Sequence, residues 1–219
     1  MFKIGIYALL CLLGGIGWAH GADGPVLWNL DNLTSIGGLP VTVVGSPRVI
    51  ETKQGKAIEF DGRDDAVYLG ANPLAGLNTF TAEVVFRPAT GGPKEQRFLH
   101  FQPDGGDDRV LFETRLPVEG RWFLDTYLHT SAGQQTLFAD KFLHPIDEWY
   151  AAAIVVDQGK MRHYVNGQLE LSADVPFKPL AAGQTSIGVR FNKVHWFQGA
   201  IRQIRITPQA LEPAAMLRP

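Results

Sequence analysis

Asn166-Gly167 lies between two short runs that alternate apolar and polar side chains. Both residues tolerate positive φ, so the pair closes a two-residue hairpin whose twist matches that of its strands. Before it, Met161, His163 and Val165 alternate with Arg162 and Tyr164, the period of a half-buried strand. Further upstream, Trp149 to Val156 is a largely apolar run ended by a turn at Asp157-Gln158-Gly159. Gln168 to Leu171 is the return strand. Glu148 to Ser172 therefore reads as three antiparallel strands and two tight turns. A chain organised around this unit must bury one face of a sheet against another layer.

The same period recurs along the chain. Phe80, Ala82, Val84 and Phe86 fall on one face of Leu77 to Pro88, and Thr81, Glu83, Val85 and Arg87 on the other. Arg109 to Leu116 and Trp122 to His129 form a further hairpin. A slip of one residue there would set apolar side chains against polar ones. Matching the apolar rows pairs Leu116 with Trp122 and predicts that Glu113 faces Asp125 and Arg109 faces His129. Strands are also expected at Val26–Leu30, Val41–Val44, Arg48–Glu51, Arg97–Gln102, Thr185–Phe191 and Phe197–Thr207, and Thr136–Phe142 leads into the central unit. No repeat and no helix longer than a couple of turns is indicated.

The N-terminus has the pattern of a secretory leader: an early Lys3, an apolar run from Ile4 to Ile16, and Ala19-His20-Gly21 before Ala22. The expected organisation is a leader over 1–21 and one domain over 22–219, secreted or periplasmic, with no membrane span after cleavage. The single cysteine, Cys11, falls in the leader, so the domain must be held by its core rather than by disulfides. A hydrophobic content of 45% argues against disorder. The formal net charge of −2 and the lack of any like-charge block argue against nucleic acid as a partner.

Four segments carry a resemblance to a known family. Gly55-Lys56-Ala57-Ile58-Glu59-Phe60-Asp61-Gly62 with Asp64-Asp65-Ala66-Val67-Tyr68-Leu69 is one. The strand LNTFTAEVVFRP from Leu77 is another, the Tyr164-Val165-Asn166-Gly167 hairpin a third, and the closing FQGAIRQIRITPQALEP from Phe197 the fourth. In this order they resemble the laminin-G-like domains of the concanavalin A-like lectin/glucanase superfamily. The resemblance implies an all-β, two-sheet antiparallel jelly-roll β-sandwich. It also implies a place for structural calcium near Asp61-Gly62, helped by acids on the closing strand. Arg202 and Gln203 stand at those closing positions, which disfavours the ion, and Arg202 is expected to pair with Asp61 instead. No cofactor is expected. The family's aromatic on the second segment is replaced by Val85, removing a sugar-stacking platform there.

The candidate site is the polar face of the hairpin: Arg109, Glu113, Arg115, Asp125, Tyr127 and His129. That row admits three readings. One is a polar outer surface held by cross-strand pairs such as Glu113–Arg115 or Arg109–Asp125. One is a groove that binds a glycan. One is a lyase site for a uronate polymer, with Tyr127 or His129 as base and Arg115 as carboxylate clamp. The alternating acid strand of retaining glucanases is absent. Asp104, Asp107 and Asp108 read as a solvated turn, Trp28, Trp122 and Trp149 as core, and His163 as a buried, hydrogen-bonded histidine. Trp196 follows a loop, where an aromatic can either stack on a sugar or pack inward. The expected function is non-catalytic binding of a glycan or an envelope protein, with the lyase and a protein-interaction module as alternatives.

Overall fold

The structure, a computed structural model, describes residues 24–219. The expected leader, 1–21, lies outside them. In chain order the strands are β1 (Val26–Asn29), β2 (Ser35–Ile36), β3 (Leu39–Val44), β4 (Arg48–Thr52), β5 (Gly55–Asp61), β6 (Ala66–Leu69), β7 (Phe80–Pro88), β8 (Glu95–Pro103) and β9 (Arg109–Val118). They continue with β10 (Arg121–Thr130), β11 (Gly133–Phe138), β12 (His144–Pro145), β13 (Tyr150–Asp157), β14 (Lys160–Val165), β15 (Gln168–Asp174), β16 (Gly183–Ile187) and β17 (Gln198–Thr207). Among the described residues the one helical element is a 3-10 turn at Pro213–Ala215. No helix there is long and apolar enough to cross a membrane.

The strands form two antiparallel sheets packed as a β-sandwich. The smaller runs β15-β14-β13-β7-β17-β5-β4, with β1 added beside β17. The larger runs β11-β10-β9-β8-β16-β6-β3-β2, with β12 added beside β10. This is the expected two-sheet jelly-roll sandwich.

Both predicted tight turns form. Val165 pairs with Gln168 across Asn166 (φ 51°) and Gly167 (φ 75°), and Asp157 pairs with Lys160 across Gln158 and Gly159. The Ala151 N–H donates to Asn166 Oδ1 at 2.9 Å, so the turn residue also ties down β13, the strand beside β14.

The core is where the in-pointing rows meet. Phe80, Ala82, Val84 and Phe86 of β7 are fully buried in it, as predicted. Phe86 stacks on Phe98 of the opposite sheet at 4.4 Å and meets Trp122 edge-on at 5.2 Å. Each such aromatic contributes about 1.5–3 kcal/mol by burial, and the paired geometry adds to it. Trp28 and Trp122 are core residues as expected. Trp149 is not: it is half-buried under the Arg87 guanidinium, 5.6 Å from its ring, and Tyr150 enters the core in its place. The strand begins one residue later than predicted, and on a strand one residue decides the face. His163 is fully buried and bonded through Nδ1 to Thr126 Oγ1 of the other sheet, as expected of it.

The outer face of the smaller sheet is covered by the chain's own C-terminal segment. Ala153, Val155 and Tyr164 bury themselves against Met216, Ala210 and Leu211. Glu83, 1% exposed, takes two hydrogen bonds from Arg205 and one from the Leu217 N–H. Val85 lies fully buried on this same covered surface.

Candidate functional site

The outer face of the larger sheet carries the predicted polar row. Register there matches the sequence reading: Asp125 pairs with Glu113 and His129 with Arg109. The expected Leu116–Trp122 pair is displaced. A bulge between Arg121 and Phe123 shifts the register, and Trp122 pairs with His144 of β12 instead.

The six residues divide into two groups. In the first, Arg115 holds three carboxylates. Its Nε donates to Asp125 Oδ2 at 2.8 Å, its Nη2 reaches Glu113 Oε2 at 3.2 Å, and its Nη1 lies 2.6 Å from Glu95 Oε2. Arg97 adds a further contact, Nε to Glu113 Oε2 at 3.1 Å. Glu113 and Asp125 are 4% and 2% exposed. Burial holds both carboxyls above their usual range. The neighbouring Asp125 charge raises Glu113 further, while Arg115 and Arg97 pull each acid back. Arg115, saturated by protein acids, is thus unavailable as the expected clamp for a substrate carboxylate. The expected Glu113–Arg115 pair forms; the expected Arg109–Asp125 pair does not.

In the second group, Arg109 turns away from Asp125. Its Nη1 donates to the carbonyl of Asp107 at 2.6 Å and to Asp107 Oδ1 at 2.5 Å, and its guanidinium lies 4.9 Å from the Tyr127 ring. Tyr127 donates its hydroxyl to Gln134 Oε1 at 2.6 Å and stacks with His129 at 6.4 Å, the planes 16° apart. His129 Nδ1 lies 3.2 Å from the Asp107 carbonyl oxygen. The Asp104–Asp108 turn therefore does more than face solvent: it organises this end of the row. Arg109, Tyr127 and His129 form a half-exposed shelf of one guanidinium and two parallel rings.

Three further residues join this face that alternation along the strand does not point to. Arg97 and His100 are three positions apart, which on a regular strand puts them on opposite faces. A bulge between Arg97 and Leu99 cancels that, so that Arg97 pairs with Glu113 and His100 with Leu111, both on the outer side. The third is Arg190. The predicted strand to Phe191 stops at Ile187, and Gly188–Phe197 crosses the face as a loop. The loop is held by Gly188 N–H to the Phe98 carbonyl (2.9 Å) and Arg97 N–H to the His195 carbonyl (2.8 Å). Phe191 packs on His100 at 4.8 Å and on Tyr68 at 5.7 Å. Gly188 has φ 90°, and a Cβ there would meet the Phe60 ring at 2.5 Å, so the sharp departure needs glycine. Trp196, in this loop, is half-buried, with the core position taken by Phe197.

For calcium, Asp61, Asp64 and Asp65 can bring one carboxylate oxygen each within 4.8 Å of one another. Asp61 Oδ1 already accepts the Arg63 and Asp64 N–H groups, and Asp65 accepts those of Ser46 and Asp61. The Arg202–Asp61 pair expected from sequence does not form; Arg202 donates to the Gln54 carbonyl at 3.0 Å instead. A bulge between Ile201 and Gln203 redirects it. The closing strand adds no acid, so the three aspartates are the carboxylates this cluster offers a cation. Elsewhere, Val26, Trp28, Leu39, Leu77 and Ile206 line an apolar cavity of about 750 Å³, which contains none of the six predicted residues.

Comparison with known proteins places the architecture. The chain aligns with domain 4 of AbnA, an extracellular arabinanase from Geobacillus stearothermophilus solved with arabinotriose. That match has a TM-score of 0.65 and 19% identity and covers 86% of this chain and 94% of that one. The botulinum neurotoxin serotype D binding domain matches with a TM-score of 0.62 and 14% identity over 88% of this chain and 50% of that one. Botulinum neurotoxin type C, whose cell entry depends on interaction with two ganglioside molecules, matches at 0.62 and 11% identity, over 88% and 49%. The chain thus spans about half of the neurotoxin chains. No curated protein matches significantly. A family model described as the concanavalin A-like lectin/glucanases superfamily, that of laminin-G-like domains, matches residues 61–215, well over half of the chain. With that match and the two-sheet sandwich together, the chain belongs to the laminin-G-like family of the concanavalin A-like lectin/glucanases superfamily.

Proposed function

We propose that this protein is a secreted or periplasmic binding module without catalytic activity. Its ligand is a glycan, free or carried on an envelope component, and it docks on the outer face of the larger sheet. The shelf of Arg109, Tyr127 and His129 carries the reading: two parallel rings and a guanidinium, half-exposed and fixed by Gln134 and Asp107, suit a sugar ring and its hydroxyls. Glu113, Arg115 and Asp125 hold the floor beneath it. The C-terminal segment covers part of the outer face of the smaller sheet, around Ala153, Val155 and Tyr164. The arabinotriose-bound and ganglioside-dependent neighbours support a carbohydrate ligand by analogy of fold.

The test is calorimetric titration of the purified protein with neutral and acidic oligosaccharides, repeated on Tyr127→Ala and Arg109→Ala. Loss of the stacking ring is expected to weaken binding about tenfold. If both variants bind every hit as wild type does, the groove lies elsewhere. Incubation with alginate, pectate and glycosaminoglycans is expected to give no ultraviolet absorbance from unsaturated products. A rise in absorbance would establish a lyase and overturn the non-catalytic reading.

A further inference from the structure

Four basic side chains converge beside the shelf, and one of them has no acid in contact with it. Arg97 is matched by Glu113, Arg109 by Asp107, and Arg115 by Glu95 and Asp125. Arg190, half-buried in the Gly188–Phe197 loop, has no ion pair within 4.0 Å among the described residues. Burial, then the charges of Arg109 and Arg97, hold it below the usual arginine range, with Glu113 and Asp107 pulling the other way. Like charges gathered in a partly desolvated place are unfavourable unless something of opposite sign sits between them.

The middle of this group is His100, fully buried. The Phe191 N–H donates to its Nδ1 at 3.2 Å, so the neutral ring carries its proton on Nε2. Burial, then the charges of Arg190, Arg109 and Arg97, push this histidine down to about 3, so neutral is its state at any ordinary pH. The Nε2–H is buried and meets no acceptor among the described residues. Neither does Arg97 Nη1 nor Arg109 Nε. All three unmet groups are donors. A buried donor without a partner costs about 1–3 kcal/mol, more when charged, and an oxyanion is the one group that answers several at once.

We propose that Arg97, Arg109, Arg190 and the Nε2–H of His100 form an oxyanion subsite on the outer face of the larger sheet, selecting glycans that bear a carboxylate or sulfate group. The inference rests on the glycan-binding reading and names the ligand class for the same face. The shelf of Tyr127 and His129 takes the sugar ring, and the neighbouring cations take its acidic substituent. Arg190 is the residue that makes the site selective, because it alone of the four arginines has no carboxylate within 4.0 Å among the described residues. The bulge at Arg97 and the glycine turn at Gly188 are what bring the four groups to one side of the sheet.

The experiment compares three probes of equal length: a galacturonate oligomer, a heparin-derived oligosaccharide and an arabino-oligosaccharide. Wild type is expected to hold one or both acidic probes at least about tenfold more tightly than the neutral one, with the preference falling as salt rises. Arg190→Gln is expected to remove most of that preference, and Arg190→Lys to keep part of it. The galacturonate and heparin arms say whether the oxyanion is a carboxylate or a sulfate. A nitrogen-resolved NMR titration with the tighter acidic probe is expected to shift the His100 Nε2–H resonance in wild type and not in Arg190→Gln. Equal affinity for acidic and neutral probes, or an Arg190→Gln protein of unchanged circular dichroism and unchanged preference, overturns the subsite and leaves the glycan reading standing. Failure of all three probes to bind overturns both.

Discussion

His163 on β14 and Thr126 on β10 join the two sheets by a 2.9 Å hydrogen bond inside a mostly apolar core. Beyond His163, Glu170 Oε2 lies 3.6 Å from its Nε2, and Glu170 Oε1 in turn reaches His144 Nε2 at 2.6 Å. A polar chain thus runs from the core out to β12. Thr126→Val keeps the shape and removes the partner of His163 Nδ1. It is expected to destabilise the fold by about 1–3 kcal/mol in urea unfolding, since an orphaned buried group loses its hydration without compensation. An unchanged midpoint and slope would mean that the bond contributes nothing.

Stability should fall on mild acidification. His163 and His100 are both pushed down to about 3, by burial in each case and at His100 by nearby arginines as well. Folded, they stay neutral; unfolded, they bind protons below about 6.5. The unfolded state therefore takes up more protons as pH drops from about 6.5 toward 3, and stability is lost over that window. The slope is at most about 1.4 kcal/mol per pH unit for each histidine. Glu113 and Asp125, held above their usual range by burial, contribute with the opposite sign as they take up protons, so the histidine contribution is read as the difference between wild type and a histidine variant. His163→Gln is expected to reduce the slope by up to one proton's worth, and equal slopes in wild type and variant would contradict the assignment.

Arg115 is a structural clamp as much as a surface residue. Arg115→Ala leaves Glu113 and Asp125 facing each other, nearly unexposed, with Arg97 alone to compensate. The expected loss is about 3–5 kcal/mol at neutral pH, shrinking as pH falls and the two acids take up protons. Glu113→Gln with Asp125→Asn in the same background should recover much of it. Thermal denaturation at neutral and mildly acidic pH reads both effects.

Glu83 and Arg205 fasten the C-terminal segment across the smaller sheet. Arg205 donates to both carboxylate oxygens of Glu83 and to the Ala215 carbonyl, and Glu83 also accepts the Leu217 N–H. Arg205→Ala strands a carboxylate that is 1% exposed and should cost about 3 kcal/mol or more. Hydrogen exchange at Leu217 should quicken well beyond the change at core amides such as Ile154. Equal protection in wild type and variant would show that the segment is held by its apolar contacts alone.

The Asn166-Gly167 turn has two separable roles. Asn166→Asp keeps an acceptor for the Ala151 N–H and tolerates positive φ, so it should be nearly neutral. Asn166→Ala removes both and is expected to cost about 1–2 kcal/mol. Urea unfolding of the pair distinguishes the side-chain bond from a generic effect of mutation.

The sequence by itself determined the alternation of β7, the two tight turns and the pairing of Glu113 with Asp125 and Arg109 with His129. Each of these depends on side-chain period or turn chemistry within a few residues, and a slip would have moved a whole row to the wrong face. It also pointed to the six polar residues, because they alternate with an unmistakable apolar row. Only the tertiary structure decided what those residues do. The bulge at Arg97 put His100 beside it, the loop from Gly188 added Arg190, and the folded C-terminal segment covered the other sheet. Arg115 went to three acids and Arg109 to Asp107. A bulge leaves no period to read, and partners brought together from distant parts of the chain are chosen by packing and charge in three dimensions, which local pattern does not encode.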